Sequence, residues 1–258
     1  MMNSERTSGH GYGLAAIVGV SLLLAACITV TTGGLPPPAP EAARVQAQLD
    51  LARGYLGTRN YTSAKGPLQK ALEIDPRNVE AHVLTGYLYQ GEQDVDLAEF
   101  HLRTALEIEP DNAQALNNYG TFLYAMGRYQ ESLVPLRELV QDPTYRARAQ
   151  AFENLGLALR QVNDNEEAKA AFTRALELNF NQARSSLELS EMAYEDGELK
   201  SAVEFYESYR RGAQQNGNSL CLGMKLGAAV GNADQVASYG LALKRLFPDQ
   251  ADQCQVKS

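Results

Sequence analysis

The sequence predicts an all-α fold, a solenoid of about six helix–turn–helix repeats forming a right-handed superhelix. Three observations carry that expectation. Small residues return at 34-residue intervals, at Ala52, Gly86 and Gly120. Prolines do the same at Pro76 and Pro110. Between them one frame repeats: Ala52, Tyr55, Ala64, Leu68, Ala71, Pro76, then Gly86, Tyr89, Ala98, Leu102, Ala105, Pro110.

Residues 1–26 differ in composition from the rest, with Arg6 offset by Glu5 and an apolar run from Leu14 to Ala26. The run is shorter than the roughly 20 residues a spanning helix needs and has the length of a secretory signal core. It ends Leu24-Ala25-Ala26-Cys27, which resembles a bacterial lipobox. In such a motif the nucleophilic Cys thiol takes a diacylglycerol and the chain is cut before it. The resemblance implies lipidation at Cys27. Ile28 follows, where lipoproteins kept in the inner membrane usually carry Asp, so it also implies an outer-membrane, periplasm-facing location. Residues 27–44 then read as a tether, pliant at Gly33-Gly34 and extended through Pro36-Pro37-Pro38.

The repeats are expected at about 45–78, 79–112, 113–146, 149–182, 183–216 and 217–250. Each 34-residue unit accommodates two helices of roughly 13 residues and two short turns. Small residues at Gly86, Gly120, Gly156, Ala64, Ala98 and Ala168 mark close helix approaches. Pro76 and Pro110 stop second helices, because proline lacks the N–H that would continue them. This spacing resembles the tetratricopeptide repeat. Gly120 and Gly156 are 36 apart, which places two extra residues near Asp142-Pro143-Thr144. Ser190 replaces glycine in the fifth unit, and the sixth, around Leu222–Pro248, is weaker still.

Composition narrows the chemistry. The net charge is −8, and it is unchanged by removal of residues 1–26, which carry one Glu and one Arg. An acidic chain without a basic run is a poor nucleic-acid partner. His82 and His101 are the histidines beyond residue 26, and no Cys/His cluster has metal-ligand spacing. There is no phosphate-cradling Gly loop, no GxSxG and no convincing Ser/His/Asp set, so no enzyme, metal, cofactor or small-molecule substrate is expected. Cys221 and Cys254 form an even pair, and in an oxidising compartment such a pair suggests a disulfide closing the last repeat. The alternative is two free thiols.

Four stretches are more specific: Lys70-Ala71-Leu72-Glu73-Ile74-Asp75-Pro76, Leu116-Asn117-Asn118-Tyr119-Gly120-Thr121-Phe122-Leu123-Tyr124, Phe152-Glu153-Asn154-Leu155-Gly156-Leu157, and Leu241-Ala242-Leu243-Lys244-Arg245-Leu246-Phe247-Pro248. With the lipobox and about six repeats, they resemble the type IV pilus biogenesis lipoproteins (PilF/PilW), the pilotins of the pilus secretin. The resemblance implies an adaptor that brings secretin subunits to the outer membrane and promotes their multimerisation. A general scaffold lipoprotein of the outer-membrane or peptidoglycan assembly machinery is the competing expectation.

In a tetratricopeptide solenoid, positions 2, 5, 9 and 12 of each unit point into the concave groove. The candidate partner-binding residues are therefore Leu49, Arg53, Leu56, Val83, Tyr87, Gln90, Asn117, Thr121 and Tyr124, with Gln46, Glu80 and Gln114 beside them. Leu49, Leu56, Val83 and Tyr87 are the expected anchors for a secretin segment. Further along, Glu153, Arg160, Arg184 and Glu191 make the groove more charged.

Overall fold

The computed structural model describes residues 40–255. Cys27 and residues 27–39 of the expected tether lie outside the described residues, as do residues 1–26. The described part is all helix and turn, six antiparallel pairs followed by one short helix. The pairs are α1 (Glu41–Gly57) with α2 (Tyr61–Ile74), α3 (Val79–Gly91) with α4 (Val95–Ile108), and α5 (Ala113–Ala125) with α6 (Tyr129–Leu139). They continue as α7 (Arg148–Gln161) with α8 (Asn165–Leu178), α9 (Ala183–Glu195) with α10 (Leu199–Gly212), and α11 (Gly217–Ala229) with α12 (Ala233–Leu246). The terminal helix α13 spans Pro248–Ala251. Residues 41–44, expected in the tether, belong to α1, whose first turn closes on the Pro40 carbonyl.

Local chemistry sets the helix starts. Asn60, Asn78, Asp94, Asn112, Asp164, Asn216 and Asn232 each accept a bond from the backbone N–H three residues on. Each cap satisfies a donor that the helix itself leaves unpaired. Every turn inside a pair carries one residue with positive φ, at Arg59, Gln93, Gly127, Asn163, Gly197 and Gly231. The small residues act as expected. A Cβ on Gly86 would lie 2.6 Å from Leu102 Cγ, and one on Gly156 2.6 Å from Phe172 Cε1. Ser190 keeps the equivalent site open to a polar group, donating to the Ala202 carbonyl at 2.7 Å.

Packing runs from repeat to repeat. The core is a series of neighbouring apolar clusters, as a stack of repeats requires. Odd-numbered helices approach the next odd-numbered helix, whereas even-numbered helices do not approach one another. The stack therefore bends with α1, α3, α5, α7, α9 and α11 on its inner side. Arg128 ties three helices together by pairing with Glu99 of α4 at 2.6 Å, where the Tyr119 hydroxyl of α5 also donates. The Arg128 guanidinium, foremost, holds the Glu99 carboxyl below its usual range. The two extra residues lie between α6 and α7, in a connection of residues 140–147 that Arg148 braces by donating to the Val140 carbonyl. At the far end Cys221 of α11 is bonded to Cys254 just past α13, across 33 residues of sequence.

Candidate partner-binding site

The concave face does not present the apolar anchors that the sequence suggests. Leu49, Leu56 and Val83 are 1%, 4% and 1% exposed. Leu49 and Leu56 pack with Leu68, Leu84 and Leu88, and Val83 packs with Val79, Ala105 and Ala115. The helical period explains this. Leu49, Ala52 and Leu56 share one stripe of α1, and Ala52 is a close-approach residue, so its stripe faces the core. Leu49 borders a cleft of about 750 Å³ at the first turn of α3, but offers it almost no surface.

The other candidates reach the inner surface. Arg53 is exposed and its Nε donates to Glu80 of α3 at 2.8 Å. Tyr87 is 41% exposed, while Gln90, Thr121 and Tyr124 are half-buried. Tyr124 leans on Tyr129 with ring centres 5.2 Å apart, and burial raises its phenol above the ordinary tyrosine value. Asn117 is largely committed, because its Oδ1 accepts from Asn154 Nδ2 at 3.3 Å and its carbonyl accepts from the Thr121 hydroxyl at 2.8 Å. The exposed part of the groove in these repeats is thus aromatic and hydrogen-bonding, with a charged edge at Arg53.

Toward the C-terminus the inner face becomes ionic. Arg160 of α7 pairs with Glu195 at 3.2 Å and approaches Glu188 at 3.9 Å, and Arg184 pairs with Glu188 at 2.8 Å. Glu191 lies between Glu188 and Glu195, and desolvation followed by repulsion from them raises its carboxyl. Glu153 is buried as an acceptor of the Ser185 N–H and hydroxyl at 3.0 and 2.8 Å, which fastens α7 to α9. Glu153 therefore serves the joint between repeats rather than the groove.

Sequence reasoning missed a second surface. A cleft of about 410 Å³ opens where α2, α3 and α4 meet. Leu68, Leu72 and Leu88 form its apolar part, Tyr89 and His101 an aromatic side, and Lys65, Gln69 and Glu73 line it from α2. The two histidines were visible in the sequence, but their meeting across 19 residues depends on the pairing of α3 with α4. Among the described residues no group of three or more His, Cys, Asp or Glu is placed to hold a metal ion. Among them no helix is long and apolar enough to cross a membrane. The described surfaces offer side-chain-sized clefts and a curved inner face of aromatic, hydrogen-bonding and charged groups.

Family comparisons agree with that construction. Tetratricopeptide-repeat families match residues 79–112, 101–133 and 153–217. The type IV pilus assembly protein PilF of Pseudomonas aeruginosa is 41% identical over 231 residues, covering 88% of this chain and 92% of that protein. The solved structure of Pseudomonas aeruginosa PilF superposes with a TM-score of 0.80 at 40% identity, over 83% of this chain and 97% of the other. PilW, described as a widely conserved type IV pilus biogenesis factor, superposes with a TM-score of 0.72 at 28% identity, over 81% and 97% of the two chains. Identity at this level over nearly the whole of both chains shows that this chain belongs to the PilF family of tetratricopeptide-repeat proteins of type IV pilus biogenesis.

Proposed function

We propose that the chain is a lipid-anchored adaptor that binds the type IV pilus secretin subunit and promotes its localisation to, and multimerisation in, the outer membrane. The carrying observation is the extent of the similarity to PilF. It runs through 92% of that protein, so it takes in the groove-bearing repeats and not one shared motif. Supporting it, Tyr87, Gln90, Thr121 and Tyr124 reach the inner face of the N-terminal repeats. No bond is made or broken in such a role. Recognition comes from the solenoid, and location comes from acylation at Cys27, since several acyl chains anchor where one binds only marginally.

Within this reading Tyr87, Tyr124, Gln90 and Thr121 face the partner. Leu49, Leu56 and Val83 hold the repeats that carry them. A deletion strain tests the reading. Loss of surface pili together with loss of heat-stable secretin multimers is the expected result. Intact multimers with a general envelope defect would replace it with the scaffold role. The anchor has its own test. Cys27→Ala should abolish palmitate labelling and membrane fractionation, and unchanged labelling would remove the lipid from the account.

A further inference from the structure

The connection between α6 and α7 meets the turn between α8 and α9, on a surface away from the groove. A cleft of about 420 Å³ opens there. Pro143, Tyr145, Arg146 and Arg148 line it on one side, Leu178 and Gln182 on the other. Its lining holds two arginines and no carboxylate, in a chain of net charge −8. Arg146 is exposed and is paired with no carboxylate among the described residues. Arg148 keeps its charge while its Nε donates to the Val140 carbonyl at 2.9 Å. The carboxylates nearest in sequence are engaged. Asp142 accepts from the Thr144 N–H and hydroxyl at 2.8 and 2.7 Å, and Glu177 pairs with Arg174 at 2.6 Å.

Beside the cleft stands an apolar tip. Phe180 is 78% exposed and Leu178 41%. The corresponding turns of the first two repeats carry Pro76 and Pro110, whereas Asn179-Phe180-Asn181 holds a phenyl ring out between α8 and α9. A ring on a turn tip is convex. A partner peptide is received by the reverse shape, a concave apolar pocket. A convex tip flanked by arginines suits a soft anionic surface, which the ring enters while guanidinium groups stay at the phosphates. The position of the tip names that surface. The helices alternate in direction, so every odd-numbered helix starts on one edge, and Pro40, the start of α7 and the Phe180 turn share it. Residues 27–39 extend at most about 45 Å. The starts of α1 and α7 are three repeats apart, roughly 30 Å at the usual helix spacing. A lipid at Cys27 therefore keeps this edge within reach of its membrane. The earlier turns on the edge, Asp75-Pro76-Arg77-Asn78 and Glu109-Pro110-Asp111-Asn112, have no excess of cations, so an anionic surface selects the stretch with Arg146.

We propose that this edge of the solenoid docks on an anionic lipid surface, with Phe180 and Leu178 entering at the level of the headgroups and Arg146 on lipid phosphates. Arg148 adds charge behind it. The inference rests on the lipid-anchor part of the proposed function for its proximity to a membrane, and on nothing about secretin. Docking also orients the molecule. The odd-numbered helices stand with their first turns toward the lipid, and the inner face opens along the membrane plane, where a membrane-inserting partner would meet it.

The chain contains no tryptophan, so Phe180→Trp supplies a single reporter at the tip. Cys221 and Cys254 are bonded to each other, so the full chain is coupled through the Cys27 thiol to a maleimide lipid. The anchor is then supplied chemically, whatever a cell does at Cys27. On phosphatidylethanolamine–phosphatidylglycerol vesicles the reporter emission should move to the blue and be quenched by brominated acyl chains. Val230→Trp, 51% exposed in the wild type and at the opposite edge, should keep the emission of a ring in water. Adding Arg146→Gln to the reporter chain should lower the docking constant about fivefold at unchanged helicity, the difference one arginine makes at such a surface. Roughly 1 M salt, which cuts the screening length to about 3 Å, should weaken docking too. A Phe180→Trp reporter that is neither shifted nor quenched, or equal quenching of Val230→Trp, would overturn the proposal. A reporter that ignores the lipid but shifts on addition of secretin subunit would give the tip to a protein and overturn it equally. Palmitate labelling is untouched by any of these results, so failure here leaves the anchor to its own test.

Discussion

Leu56 and Tyr87 sit one repeat apart at positions 12 and 9 of their units, and the structure gives them opposite jobs. Leu56 is 4% exposed inside a leucine and alanine cluster, whereas Tyr87 is 41% exposed on the inner face. Leu56→Ala should therefore cost about 2–5 kcal/mol in urea unfolding, the range for a buried leucine. Tyr87→Ala should stay within about 0.5 kcal/mol. Equal losses would refute the assignment of core and groove. The sign for Leu56 was legible in its spacing from Ala52. The positional rule places Leu56 in the groove, but its stripe of α1 already belongs to the core. His101 gives a pH prediction. Its imidazole is held at about 4 when folded, against about 6.5 in a free chain. Between these values the unfolded state binds more protons than the folded one, so stability is present above about 6.5 and declines as pH falls toward 4. His101→Phe should flatten that part of the profile in thermal melts across the window. An identical slope would mean that the imidazole is not protected from protonation.

Among the helices, the turns inside each pair follow the same period as the glycines. Their positive-φ residues are Arg59, Gln93, Gly127, Asn163, Gly197 and Gly231, with φ between 56° and 76°. Side-chain-bearing residues occupy three of these sites, at a cost of roughly 1–2 kcal/mol each relative to glycine. Gln93→Gly should therefore stabilise the chain by about 1 kcal/mol and Gly127→Ala should destabilise it by at least that much, read as denaturation midpoints. Opposite signs would contradict the turn geometry. This regularity was hidden in the sequence because only half the sites are glycine. The helix pairs were legible, since apolar spacing, Asn and Asp caps and the turn prolines all agree on them. The extra residues before α7 were legible too, but their arrangement as a braced connection was not, because the brace is a bond from Arg148 back to Val140.

For the whole molecule, no further helix pair packs beyond α11 and α12 among the described residues, so one side of that pair is not covered by another repeat there. Leu241 and Leu246 of α12 are 70% and 63% exposed there. The Cys221–Cys254 bond holds α13 and the residues after it against α11. Closing a loop of this length contributes about 2–4 kcal/mol. Reduction, or Cys254→Ser, should thus raise amide exchange first in α11 and α12 and leave α3–α8 protected. Uniform loss of protection would show that the chain unfolds as one unit instead of repeat by repeat. The period foretold the stack, but not its hydrogen-bonded joints at Asn117–Asn154 and Glu153–Ser185. Those joints depend on which side chains meet once the repeats are superposed, and they remove Asn117 and Glu153 from the groove.

On the proposed function, the inner face of the N-terminal repeats holds the secretin. The direct measurement is the affinity of purified secretin subunit for the full chain and for the Tyr87→Glu/Tyr124→Glu variant, with helicity followed in parallel. The account predicts a loss of tenfold or more, about 1.4 kcal/mol or greater, with helicity intact. Unchanged affinity in a folded variant would contradict it.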